Sequence, residues 1–316
     1  MSHAFVFPGQ GSQSVGMLAE LGAAEPSVRE TFQEASDALG YDLWKLAQEG
    51  PESDLNATDR TQPALLAAGV AAWRAFSAHS VYRPAFMAGH SLGEYTALVC
   101  AGAMDFADGI RLVEFRGQAM QRATPVGTGA MAALIGLDDD VVTEGCAEAG
   151  QGQVVSAVNF NSPGQVVIAG EKDAVERAIE ILKGKGAKRA MPLPVSVPSH
   201  CALMKPAADE MAARLAEVAI SAPSIPVVHN VDVQVHPDPD AIRGALVEQL
   251  HSPVRWTETI RYLHGKGVTG IVECGPGKVL AGLNRRIEKS MTSVVVTDPA
   301  GLADALAATG NNGEEA

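Results

Sequence analysis

The stretch Gly89-His90-Ser91-Leu92-Gly93-Glu94 decides how this chain is read. It follows a short apolar run, Pro84-Ala85-Phe86-Met87-Ala88, and leads into Tyr95-Thr96-Ala97-Leu98-Val99-Cys100, which ends at Gly102. That order predicts a strand, a tight turn and a helix. Gly-x-Ser-x-Gly in such a setting is a nucleophile elbow: the glycines leave room for a strained turn, and the serine hydroxyl stands clear of the chain. The helix that begins there aims backbone N–H groups and the positive end of its dipole at the same place. Two glycines around a serine also arise by chance in a glycine-rich chain, so the remaining sequence has to carry the assignment.

Composition narrows the field. With 316 residues, 47% of them hydrophobic, the chain can bury a sizeable core and a second, smaller unit. A net charge of −13 argues against nucleic acid as a general partner, and an acidic partner would need a local basic patch. The four cysteines, Cys100, Cys146, Cys201 and Cys274, lie far apart, which fits neither a disulfide framework nor a zinc site. A basic leader and an apolar run of membrane-spanning length are both missing from the pattern, so a soluble cytoplasmic protein is expected.

Around the elbow the chain reads as α/β. Ala4–Phe7 is a buried strand that runs into Pro8-Gly9-Gln10-Gly11-Ser12-Gln13. This loop matches neither the dinucleotide nor the Walker pattern; it is either a plain turn or a source of N–H groups for an oxyanion. Helices are expected at Thr31–Leu39, Asp42–Ala47 and Thr61–Ala78, the last apolar on nearly all sides and hence buried. Asp105 reads as the N-cap of a helix reaching about Arg122. Within it, Arg116 has Leu112, Val113, Ala119 and Met120 three and four residues away, so it projects from an apolar face. A guanidinium there needs an anionic partner, either a buried carboxylate of the protein or a substrate carboxylate held bidentately.

Pro125-Val126-Gly127-Thr128-Gly129 marks a boundary. Beyond it Ala130–Ile135 reads as strand, Asp138–Ala149 as helix, Val154–Asn159 and Gln165–Ala169 as strands, Asp173–Lys183 as helix and Lys188–Leu193 as strand. That βαββαβ order is ferredoxin-like. The predicted layout is therefore a larger α/β unit, 1–126 and 196–316, with a small domain inserted at 127–195. Val197-Pro198-Ser199-His200 then closes a proline-bounded loop before an amphipathic helix, Ala202–Val218. His200 is one candidate base among eight histidines; His90 adjoins Ser91 and should point elsewhere from a sharp turn. No histidines show HExxH spacing. Helices at Asp240–His251, Thr257–His264 and Gly277–Ile287, strands at Gly270–Cys274 and Ser293–Thr297, and a disordered tail from Gly310 complete the reading.

The loop, elbow, arginine and histidine motifs, in that order, closely resemble the malonyl-CoA:acyl carrier protein transacylases of bacterial fatty acid synthesis. Glu248-Gln249-Leu250 with Pro253-Val254, and Cys274-Gly275-Pro276-Gly277-Lys278-Val279-Leu280, also match, and the resemblance spans roughly residues 4–297. It implies an α/β-hydrolase-like core with a parallel sheet and the ferredoxin-like insertion. It also implies Ser91 as nucleophile and His200 as general base, with the backbone carbonyl of Gln249 taking the place of a triad carboxylate. The N–H groups of Gln10 and Leu92 would form the oxyanion hole, Arg116 would clamp a malonyl carboxylate, and Asn159 would lie at the cleft lip. The implied reaction is ping-pong malonyl transfer from malonyl-CoA to the phosphopantetheine thiol of acyl carrier protein, with no metal or cofactor; a monomer is expected. The residues before His200 differ from the HAFH and YASH patterns of polyketide acyltransferases, so that specificity code does not transfer. Carrier docking is expected at Lys183, Lys185, Lys188 and Arg189, or at Arg285, Arg286 and Lys289. A neutral-ester hydrolase shares the elbow, but the chain lacks an HGGG-type loop and has Arg116. A polyketide-serving acyltransferase would share the whole chemistry. A catalytically inert carrier-binding module would have no use for an intact Ser91, His200 and Arg116.

Overall fold

The computed structural model describes residues 2–125, 127–195 and 197–310. The tail expected beyond Gly310 lies outside them. The strands are β1 (His3–Phe7), β2 (Phe86–Gly89), β3 (Gly129–Ile135), β4 (Val155–Ser162), β5 (Gln165–Glu171), β6 (Arg189–Pro192), β7 (Val227–Val228), β8 (Gly270–Cys274) and β9 (Thr292–Val296). They form two sheets. One is parallel, in the order β7-β2-β1-β8-β9; the other is antiparallel, in the order β4-β5-β3-β6.

The parallel sheet is covered on both faces, as parallel sheets with helical crossovers must be. Alternation along β1 sends Phe5 and Phe7 to one core and Ala4 and Val6 to another. Phe5 meets Trp73 and Phe76 at ring-centroid distances of 5.2 and 4.9 Å. Both aromatics belong to the helix Thr58–His79, whose burial matches its all-round apolar sequence. In the antiparallel sheet, Ala132 and Leu134 share a core with the helices Asp139–Gly150 and Lys172–Gly184. Met131 and Ala133 face the other way, toward Cys201 of the main body and toward Leu193 and Val195 in the segment that leads back to it. The observed order in this region is strand, helix, strand, strand, helix, strand.

Most predicted elements are present within one or two turns. The helix expected at Thr31 starts earlier, at Pro26, a residue suited to a first turn where its missing N–H is not needed. The helix expected over Ala202–Val218 is split into a 3₁₀ turn, Ala202–Met204, and an α-helix, Lys205–Ala216. Pro206 sits in the α-helix's first turn and cannot donate back across the junction. Four elements have no counterpart in the sequence reading: the helices Ala19–Ala24, Glu52–Leu55 and Pro299–Ala308, and β7. The helix at Pro299 carries a legible signal, since the Asp298 side chain accepts from Gly301 N–H at 2.8 Å. β7 is two residues long, too short for periodicity to register. Among the described residues no helix is long and apolar enough to cross a membrane.

Candidate active site

The site forms at the carboxyl ends of β1 and β2. At the elbow, Ser91 has φ +52°, in the left-handed region. A Cβ on Gly89 would lie 1.8 Å from Gly93 C, and one on Gly93 would lie 2.0 Å from Phe7 O. Both positions therefore require glycine, for close backbone approach. The helix Gly93–Cys100 leaves from this turn.

The Ser91 hydroxyl lies 2.8 Å from His200 Nε2. His200 Nδ1 lies 2.7 Å from the backbone carbonyl of Gln249. A carbonyl only accepts, so Nδ1 carries the proton and Nε2 is free to accept from Ser91 Oγ. His200 also holds a left-handed backbone, φ +65°. It is buried, and burial followed by the nearby Arg116 charge pushes its pKa down to about 3. The imidazole is thus neutral at physiological pH, the state a general base needs.

Arg116 is buried in the helix Phe106–Ala123, as its apolar neighbours required. Nη1 donates to Gln62 Oε1 at 2.9 Å, and Nη2 donates to Gln249 Oε1 at 2.9 Å and approaches Ser91 Oγ at 3.5 Å. Among the described residues no carboxylate pairs with it, so the protein supplies two neutral amides in place of the structural carboxylate. Nε has no partner. Its positive charge is therefore held at the nucleophile without a contact counter-ion.

The other candidates gather around the same cleft, whose empty space, counted out into open solvent, is about 650 Å³. Gln10, Leu92 and Asn159 all line it. Neither the Gln10 nor the Leu92 N–H has an acceptor among the described residues, whereas Ser91 N–H donates to Asn230 Oδ1 at 2.7 Å. Asn159 sits at a register shift in β4, beside Val254, and its Oδ1 is buried without a partner. His90 points away, with Nε2 2.8 Å from Asn161 Oδ1. A wider groove of about 1320 Å³ shares Gln10, His90 and Asn159 and continues along Gln165 toward Val279 and Leu283.

Sequence reasoning missed Gln62, Asn230 and the side chain of Gln249, and left Glu94 without a role. Gln62 was detectable as the lone amide in an apolar helix. Asn230 follows the two-residue β7 and carries no local signal.

The basic clusters fare differently from each other. Lys183 and Lys185 are paired with Glu180 and Glu148 at 2.7 and 3.2 Å. Lys188 and Arg189 are exposed and form no ion pair among the described residues. Arg286 donates to Gln165 Oε1 at 2.9 Å. Ile135 is in register with both Gln165 and Arg189, so the sheet brings the two clusters to one end.

The model of the acyl transferase domain family matches residues 4–302. A malonyl CoA-acyl carrier protein transacylase of Escherichia coli O157:H7 is 62% identical over 303 residues, covering 96% of this chain and 98% of the relative. Its Bacillus subtilis counterpart is 44% identical, with 94% and 93% covered. An acyl carrier protein S-malonyltransferase from Vibrio cholerae superposes with a TM-score of 0.95 at 61% identity, covering 96% of this chain and all of that one. A malonyl-transacylase solved in complex with a type II polyketide synthase acyl-carrier protein superposes with a TM-score of 0.96 at 58% identity, covering 98% and 100%. With the motifs, the two-sheet architecture and these relatives all in agreement, the chain belongs to the acyl transferase domain family, among the malonyl CoA-acyl carrier protein transacylases.

Proposed function

We propose that this protein transfers the malonyl group from malonyl-CoA to the phosphopantetheine thiol of acyl carrier protein, supplying fatty acid synthesis. The observation that carries this reading is Arg116: a buried guanidinium, bound only to neutral groups, 3.5 Å from the Ser91 hydroxyl. A neutral ester offers that charge nothing, whereas a malonyl carboxylate completes it.

In the reaction Ser91 Oγ attacks the thioester carbonyl and its proton passes to His200 Nε2. The Gln249 carbonyl holds the resulting imidazolium through Nδ1–H without adding a full negative charge. The free N–H groups of Gln10 and Leu92 stabilise the oxyanion. His200 returns the proton to the departing CoA sulfur, leaving a malonyl-serine ester. The carrier's thiol then attacks that ester with His200 again taking the proton, and Ser91 is released. Asn159, with an unpartnered oxygen at the cleft wall, faces the acyl or pantetheine chain.

The parallel-sheet unit, 1–126 and 196–316, is read as an α/β-hydrolase-like core and 127–195 as a ferredoxin-like insertion. The basic end of the small sheet, Lys188 and Arg189 with Arg285 and Arg286, is the proposed carrier-docking surface. The groove passes Gln165, which accepts from Arg286, and shares Gln10, His90 and Asn159 with the cleft that Ser91 lines. A brief mixing with malonyl-CoA followed by intact mass measurement tests the function: a malonyl adduct on Ser91 is expected, and no adduct overturns it. The relative solved with a polyketide carrier supports a second reading, loading of such a carrier, and parallel transfer assays with both carriers separate the two.

A further inference from the structure

Glu94 is fully buried in the first turn of the elbow helix, and three donors converge on its carboxylate. His229 Nδ1 lies 2.8 Å from Oε1, while Oε2 accepts from Asn230 N–H at 2.9 Å and from Gln249 Nε2 at 3.0 Å. Gln249 Nε2 also donates to Ser91 O at 2.9 Å. The far side of the same amide, Oε1, accepts from Arg116 Nη2. A carboxylate can only accept and a guanidinium can only donate, so the amide between them has one permitted orientation. The chain guanidinium to amide to carboxylate is directional from end to end.

We propose that Glu94 is a positioning residue for acyl-group selection, acting on Arg116 through the Gln249 side chain; this rests on the malonyl-transfer reading above. Direct contact between Glu94 and Arg116 would neutralise the guanidinium and compete with the substrate carboxylate. One intervening amide keeps the counter-charge close enough to offset the burial of Arg116 and too far to occupy its fork. The amide also fixes Nη2 beside Ser91 Oγ, so the acyl group's distal carboxylate and its thioester carbon are registered against each other. A second arm runs from Glu94 through Asn230. Asn230 Nδ2 donates to Gly89 O at 2.7 Å and its Oδ1 accepts from Ser91 N–H, which braces the elbow for any acyl group. Only the Gln249 arm distinguishes malonyl from acetyl.

In Glu94→Gln the three donors can no longer all be accepted. Either the Gln249 amide loses its acceptor, or His229 must change tautomer and bury an Nε2–H at an atom that has no partner. The ratio of kcat/KM for malonyl-CoA to that for acetyl-CoA should fall about tenfold, mainly through KM for malonyl-CoA. Gln249→Leu removes the amide but keeps the carbonyl that holds His200, and should lower the ratio by about 10- to 100-fold. In the double variant the ratio should be no lower than in Gln249→Leu alone, because the two act in one chain. Independent, additive effects on the ratio overturn the proposal, as does an equal loss for both acyl groups in Glu94→Gln. If Gln249→Leu does not fold, the malonyl-to-acetyl split in Glu94→Gln decides alone. Absence of a malonyl adduct on the unaltered protein would instead overturn the function itself.

Discussion

The two sheets make different uses of the same α/β materials. The parallel sheet is sealed on both faces, and the carboxyl ends of its strands carry the elbow after β2, the Gln10 loop after β1 and the Asn230 segment after β7, to which a loop brings His200 and a helix brings Arg116. The antiparallel sheet is sealed on one face only. Its helices cover Ala132 and Leu134, while Met131 and Ala133 turn toward the main body and wall the cleft. Parallel strands need crossovers that bury both faces, so their chemistry must sit at the ends; an antiparallel sheet can lend a whole face to a neighbour. In the proposed function, chemistry and recognition are thereby divided between the two: the elbow stands at the first sheet, while the second walls the channel and carries Lys188 and Arg189, half of the proposed docking surface.

Substitutions should respect that division. The largest effect is expected from Ser91→Ala, which should fold normally and show no malonyl label by mass spectrometry; a label surviving elsewhere in the cleft would break the assignment. His200→Ala should slow both half-reactions by about 10²–10⁴-fold, since one imidazole serves both. The base works only when unprotonated, and burial and Arg116 hold its pKa near 3. Acylation should therefore persist into acid and be lost as pH falls through that value. Removing the Arg116 charge should raise the inflection, read as the pH profile of acetyl transfer in Arg116→Ala.

Arg116→Ala should also cost malonyl-CoA about 10²–10³-fold in kcat/KM, the scale of about 3–5 kcal/mol for one member of a buried charged pair. Acetyl-CoA should lose far less, and Arg116→Lys should restore only part of the malonyl activity because an ammonium lacks the planar fork. Equal loss for both substrates would reduce Arg116 to a scaffold residue. The smallest effect belongs to the proposed docking surface, which the second sheet shares with the helix Val279–Ile287. Charge reversal at Lys188 and Arg189, or at Arg285 and Arg286, should weaken transfer to carrier protein by up to about tenfold at low salt and leave acylation by malonyl-CoA unchanged. Added salt should erase the difference. If acylation falls as well, the two sheets do not divide the work as described.

Much of this was legible along the chain. Gly89, Ser91 and Gly93 announce the elbow because a sharp strand-to-helix turn tolerates few residue types, and local sterics are local in sequence. Arg116 stood out because helical periodicity puts its neighbours three and four residues away. The alternation in β1 and the boundaries of the small sheet's elements follow from the same short-range rules. What the order of residues could not reveal was who meets whom across the fold. Arg116 called for an anion by every local rule, yet Gln62 and Gln249, 54 and 133 positions away, receive it instead. Glu94 was in plain view as the last residue of the motif, but its three donors come from Asn230, His229 and Gln249, gathered only when β7 docks beside β2. Likewise Arg189 and, through Gln165, Arg286 come to one end of the small sheet only through the register of β3 with β5 and β6. Hydrogen-bond direction and burial depend on distances in space, and nothing in a one-dimensional pattern carries those.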